Sequence, residues 1–299
     1  MADEEIPDYH DTSSRSAPTG STFWSDDPDQ KKVLLVSRGH PFARDPFYNI
    51  FESNQDIEYS AVEHPAAQNM FNPEFASNFD CYVQYDMPGI QFNPGAPPTF
   101  VEPPEFYKEG VRAMGDAGFP FVILHHCAAA WPAWPEWAEV CGAHFLYKPM
   151  KSRGVDKPDS GYIIDVPHTV SPAMKHPITE GIEPFELVDE VYLWEVFEDS
   201  VTPLFTSNYE FTKENFYSAD LALKGTMNSN EGWEHDPGSN LVGWIKTYRN
   251  SPVVYLQFGD GPATYGNPTF RKILSQAIKW ACSEEAQAWV REQSKQAAE

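Results

Sequence analysis

With 299 residues, 22% of them charged and 41% hydrophobic, the chain can bury one large α/β core or two small ones, which excludes a wholly disordered polymer. Lys and Arg number 21 against 44 Asp and Glu, a formal charge of −23. That excess repels phosphate backbones and anionic lipid, and no basic patch offsets it, so neither nucleic acid nor a membrane is an expected partner.

Residues 1–30 hold eight acidic residues and one basic one and show no apolar period, which predicts an acidic, flexible leader with Phe23 and Trp24 as its docking side chains. Its start lacks the basic and apolar run of a secretory signal, and no apolar stretch reaches the roughly 18 residues of a membrane span. A cytoplasmic protein is the expectation. Cys81, Cys127, Cys141 and Cys282 form no CxxC pair and are read as reduced thiols.

From Lys31 onward the chain alternates strand and helix signals. Lys31–Ser37 (KKVLLVS) is a short apolar run suited to a strand buried on both faces. A helix over Asp45–Glu52, strands at Ile57–Glu63 and Cys81–Asp86, and a loop over 88–104 follow. Glu105–Ala117 has helical spacing, and Phe121–Leu124 is a fully apolar strand. This order makes right-handed crossovers between parallel strands the natural arrangement.

A short helix is expected at Trp134–Val140, with strands at Phe145–Tyr147 and Tyr162–Val166 and a surface loop or lid over 149–160. Leu241–Tyr248 and Val253–Phe258 read as an antiparallel hairpin. Asn267 caps a helix starting at Pro268, and 283–299, a polar helical extension, either continue it or begin a second helix. The prediction is one flavodoxin-like α/β domain over 31–282, with a mostly parallel sheet, helices on both faces and a C-terminal antiparallel hairpin.

Ligand sites in such sheets lie beyond the carboxyl ends of the strands. The residues there are Arg38-Gly39-His40, Asp86 to Gly89, His125-His126-Cys127 and Gly259-Asp260-Gly261. His40, Asp86, His125, His126 and Asp260 therefore could share one cleft. Imidazoles serve as metal ligands and as acid or base groups. Adjacent strand residues point opposite ways, so His125 and His126 can reach one site only where the strand ends; the alternative is that either one packs in the interior.

Cys127 is either a nucleophile on a strand-to-helix turn or a small buried residue. Asp189-Glu190 is either a solvated strand end or a carboxylate pair that binds sugar or acts in catalysis. Trp131, Trp134 and Trp137 could stack on sugar rings or form a packing stripe.

Several ordered motifs resemble the ThuA-like (trehalose utilisation) family of the class I glutamine amidotransferase-like superfamily. They are Tyr85 to Gly89, Leu124-His125-His126, His176 to Thr179, Val188 to Tyr192, Asn250 to Tyr255 and Gly259 to Leu274 (GDGPATYGNPTFRKIL). The resemblance runs from about residue 31 to 282 and implies a flavodoxin-like sheet. It also implies a role with trehalose-related disaccharides or keto-glycosides, handled with a partner oxidoreductase. The Cys-centred elbow of amidotransferases is not reproduced around Cys127, and Asp260 stands where many members have His; a carboxylate there can bind a cation or a sugar hydroxyl.

The leading expectation is a sugar hydrolase or isomerase with His125, His126, Glu190 and Asp260 as catalytic groups and His40, Asp86, Trp131, Tyr192 and Tyr265 as substrate contacts. His125 and His126 are the candidate ligands of a divalent metal such as zinc. The alternatives are a non-catalytic sugar-binding or regulatory module and a Cys127-dependent hydrolase. A homodimer is the base-rate expectation for assembly.

Overall fold

The computed structural model describes residue 27 and residues 29–93 and 96–296. All but three residues of the acidic leader, Phe23 and Trp24 included, lie outside that range. In chain order, β1 (Lys31–Arg38), α1 (Arg44–Glu52), β2 (Ile57–Glu63), the one-turn α2 (Pro73–Ala76) and β3 (Cys81–Asp86) come first. They are followed by β4 (Ile90–Asn93), β5 (Ala96–Phe100), α3 (Glu105–Asp116), β6 (Phe121–Leu124), α4 (Glu136–Cys141) and β7 (Ala143–His144). Next are β8 (Met150–Ser152), β9 (Val155–Lys157), β10 (Gly161–Pro172), β11 (Phe185–Leu193), β12 (Glu195–Val196), β13 (Thr202–Ser207), β14 (Tyr217–Ser218) and α5 (Ala219–Leu223). The chain closes with β15 (Leu241–Tyr248), β16 (Ser251–Leu256), α6 (Pro262–Tyr265), α7 (Pro268–Ala281) and α8 (Glu284–Gln296).

The fold is α/β, with a central sheet in the order β11-β10-β13-β15-β16-β6-β3-β1-β2. The five strands β2, β1, β3, β6 and β16 run parallel. Alternate residues of β1 show why its sequence is apolar throughout. Val33 and Leu35 enter the core that contains Phe47 and Ile50 of α1 and Ile273, Leu274 and Ile278 of α7. Leu34 and Val36 enter the core of the other face, with Tyr107, Val111 and Met114 of α3 and Trp137 and Val140 of α4. Helix α7 starts as its sequence requires: the Asn267 side chain accepts from the amides of Thr269 and Phe270, and Pro268 takes the first helical position.

The expected C-terminal hairpin is β15–β16, and its antiparallel pairing continues through β13, β10 and β11. Four local expectations need correction. The stretch 88–104 contains the hairpin β4–β5, whose Pro97 and Pro98 argued against a strand but are tolerated in a strand with only one partner. The stretch 149–160 contains the hairpin β8–β9. Phe145–Tyr147 is not a strand; these residues lie just past β7 and are buried. The helix expected from Trp134 begins at Glu136, after Pro135. Of the two readings of the polar C-terminal stretch, the second holds: it forms α8, a helix separate from α7 that buries Ala286 and Val290.

In hydrogen-bonding order β11 is four strands from β16, about 19 Å away if the sheet were flat. Yet Asp189 and Glu190 of β11 hydrogen-bond residues just past β16. The antiparallel half therefore curls back over the strand exits. No helix among the described residues is long and apolar enough to cross a membrane.

Gly110 of α3 passes so close to the 71–72 peptide that a Cβ would lie 1.7 Å from the Phe71 carbonyl oxygen. Gly110→Ala must displace α3 and should cost about 1–3 kcal/mol or more, read as a fall in thermal midpoint; an unchanged midpoint would contradict this packing. Burial holds the His168 imidazole at about 4, below its ordinary 6.5. In the window between those values the unfolded chain takes up the proton and the folded one does not. The stabilisation is thus complete above pH 6.5 and is lost as pH falls toward 4, by up to about 3 kcal/mol. Denaturant titrations at pH 7.5 and 4.5 should show a smaller acid loss for His168→Gln than for the parent chain.

Candidate functional site

The site begins with a strained backbone. β6 ends at Leu124, and His125 takes φ 48 at the head of a 3-10 turn over His125–Ala129. A left-handed value is uncommon outside glycine, histidine being among the residues that adopt it more often, and such positions collect at functional sites. Two bonds hold the corner: His125 Nδ1 lies 2.6 Å from the Gln257 carbonyl oxygen, and the Tyr255 hydroxyl donates to the His125 carbonyl. A carbonyl only accepts, so Nδ1 carries a proton and Nε2 is the free end of the ring.

His125 Nε2 faces Glu190 Oε2 at 3.1 Å, Asp260 Oδ1 at 3.4 Å and the Tyr192 hydroxyl at 3.0 Å. Tyr192 also donates to Glu190 Oε2 at 2.7 Å and stacks on the His125 ring. Asp189, next to Glu190 on β11, does different work. Its carboxylate accepts from the amides of Gly259 (2.7 Å), Asp260 (2.8 Å) and Glu190 (3.0 Å). The carbonyls of the same loop accept from Tyr85 (2.8 Å to Gly259) and Tyr265 (2.7 Å to Asp260), whose hydroxyls lie 2.6 Å apart. Gln257 Nε2 donates to the Glu190 carbonyl.

Burial alone would lower the His125 pKa, but hydrogen bonds to Asp260 and Glu190, with the charges of Glu190 and Asp189, raise it well above the ordinary value. Burial pushes Asp260 up, and the hydrogen bond and charge of His125 outweigh it, leaving this carboxyl below its usual value. Asp189 is raised to about 6 by burial, against the pull of His125 and the two loop amides. Burial, then Glu190, holds the Tyr192 proton firmly.

His125, Glu190 and Asp260 are the only group among the described residues whose ligating atoms, all within 4.8 Å of one another, suit a metal ion. Tyr192 joins them. His126 does not: its ring lies edge-on to His125 and packs against His40 (4.6 Å) and Tyr85 (4.3 Å). Neither of its ring nitrogens hydrogen-bonds among the described residues. Burial, then the charges of His125 and His40, holds His126 neutral.

Asp86 is buried and bonds His64 Nε2 at 3.0 Å and the Cys127 thiol. Tyr265 acts on the Asp260 backbone. Trp131, Trp134 and Trp137 are buried, with Trp131 against His64 and Tyr107, so no open indole face is offered to a sugar. Cys127 is fully buried and its thiol is pushed up by burial and then by Asp86. Sequence reasoning missed Asp189 as a positioning group, and with it Gln257 and Tyr85. The one available signal was that two neighbouring acids on a strand must face different ways.

The profile of the ThuA family, described as trehalose utilisation, matches residues 32–281. A ThuA-like protein from Parabacteroides merdae is similar in structure at a TM-score of 0.59 and 16% identity, covering 85% of this chain and 90% of that one. A carbohydrate deacetylase, Agd3, matches at a TM-score of 0.50 and 10% identity, covering 85% of this chain and 32% of that one. A GMP synthase protein from Thermoplasma acidophilum matches at a TM-score of 0.41 and 12% identity, covering 89% of this chain and 98% of that one. No curated protein matches the sequence. The chain belongs to the ThuA, trehalose-utilisation, family.

Proposed function

We infer that the chain is a carbohydrate-processing enzyme whose reaction centre is His125, Glu190 and Asp260, holding a divalent cation. The observation that carries this reading is the convergence of one imidazole nitrogen and two carboxylates within 4.8 Å. A third carboxylate, Asp189, lies immediately behind. Three carboxyl groups are gathered around one imidazole, and a divalent cation offsets the negative charge that such a cluster carries when ionised.

The donor set fits. His125 Nδ1–H on the Gln257 carbonyl fixes the tautomer that frees Nε2, the usual outer support of a metal-bound histidine. One nitrogen and two carboxylate oxygens suit zinc or manganese. Such a cation supplies polarisation of a sugar carbonyl or hydroxyl oxygen. Tyr192, bonded to Glu190 and His125, holds a proton beside the reacting oxygen. Gln257 Oε1, buried and without a partner among the described residues, is an acceptor for a sugar hydroxyl. Family membership and the sugar chemistry in the family description favour trehalose-related disaccharides or keto-glycosides as substrates.

Protein purified without a His tag and dialysed against zinc or manganese should hold about one cation per chain by mass spectrometry. Glu190→Gln and Asp260→Asn should each weaken binding at least tenfold, and His125→Ala should abolish both the cation and turnover of the sugars. A cation retained undiminished in all three variants would place the metal elsewhere and remove this reading. Asp189→Asn should stay folded yet lose roughly 10–100-fold in cation affinity, because an amide oxygen can serve only one of the two loop N–H groups. Parental affinity in that variant would show that the loop holds its position without Asp189.

A further inference from the structure

Beside the His125 group, the exit of β1 breaks local rules three times within seven residues. Arg38 has φ 99, a left-handed value. Gly39, at φ 101, needs to be glycine, because a Cβ would lie 2.3 Å from the Met87 carbonyl oxygen. Glycine would suit position 38 on conformational grounds too, so an arginine there keeps a strained backbone for the sake of its side chain. Arg44 is the first residue of α1, where a cation opposes the helix dipole, and Ala43 gives that helix end no side-chain cap. Asp45 in the same first turn and Glu63 offset part of this, and Arg38 also donates to the His64 carbonyl, yet local rules broken together mark a place to search for function.

The same residues line a cavity of about 350 Å³, formed by Arg38, His40, Pro41, Phe42, Arg44 and Glu63. Its size is that of a small-molecule pocket. Arg44 Nη1 donates to Glu63 Oε1 at 2.6 Å, and Arg38 Nη1 lies 3.6 Å from Glu63 Oε2. Two guanidiniums therefore address one carboxylate, and the cavity wall carries a net positive charge in a chain of −23. The Arg44 guanidinium is further placed over the rings of Phe42 and Tyr48.

His40, a lining residue of this cavity, lies near the reaction centre. Its ring is 4.6 Å from that of His126, which is 5.3 Å from that of His125, so His40 lies within about 10 Å of His125. Its Nδ1 is buried and has no hydrogen-bond partner among the described residues.

We propose that the cavity binds the anionic end of the substrate: the sugar carries a carboxylate or a phosphate ester, gripped by Arg38 and Arg44, while its uncharged end reaches His125, Glu190 and Asp260. This rests on the reading of the His125 group as a sugar-processing centre. Glu63 is the internal competitor. An entering anion displaces it from one guanidinium and gains charge-assisted bonds that a neutral sugar cannot make.

Titration calorimetry at low ionic strength with glucose, glucuronate and glucose 6-phosphate tests the proposal on the parent chain, Arg38→Gly and Arg44→Gln. At least one anionic sugar should bind tenfold or more tighter than glucose, and each variant should lose at least fivefold of that preference. Arg38→Gly deletes the guanidinium while relieving its backbone, so its thermal midpoint should match or exceed that of the parent. Preference for glucuronate alone assigns a carboxylate, and preference for glucose 6-phosphate alone assigns a phosphate. Equal affinity for all three sugars, binding of none, or a preference retained in both variants overturns the proposal. These titrations need neither cation nor turnover, so the reading of the His125 centre can fail in its own assay while the anion preference stands, and the reverse.

Discussion

The Asp189 carboxylate is the joint on which the site depends. It belongs to a strand at one edge of the sheet and accepts the amides of Gly259 and Asp260 at the exit of a strand in the middle. Bonds from N–H groups to an ionised acceptor are about twice as strong as neutral ones. Here two of them fasten the antiparallel half of the sheet to the parallel half. Without them the loop of Asp260 would rest on the Tyr85 and Tyr265 hydroxyls that its carbonyls accept, and β11 on the Gln257 bond to the Glu190 carbonyl.

The parallel half was legible because burial on both faces leaves no room for polar residues: KKVLLVS and FVIL declare themselves. The antiparallel half was harder to read. Pro203 disguises β13, and Pro97 and Pro98 disguise β5, because proline argues against a strand unless one edge is free. Tertiary contacts settle such cases, and a single sequence does not contain them.

The site was legible in part for a similar reason. Strand-exit logic brings forward His125 and Asp260, and the neighbouring acids bring forward Glu190. It cannot separate His125 from His126, which are identical in type and adjacent in sequence. A backbone angle separates them: the left-handed turn at residue 125 sends one ring to the acids, while the other packs against His40 and Tyr85. For the tryptophans, spacing by threes fits both an exposed stacking surface and a packing stripe, and all three side chains are buried.

The curl of the sheet also gives its edge a second meaning. β11 is secured on one side by β10, and over the strand exits it is held by bonds that each have a side chain at one end. An edge strand has sheet partners on one side only. A molecule that spans His125, Glu190 and Asp260 would act as a clasp between the two halves, so occupancy of the site and closure of the sheet are one equilibrium viewed from two ends. The pace at which β11 opens would then set a ceiling on how fast such a ligand enters and leaves.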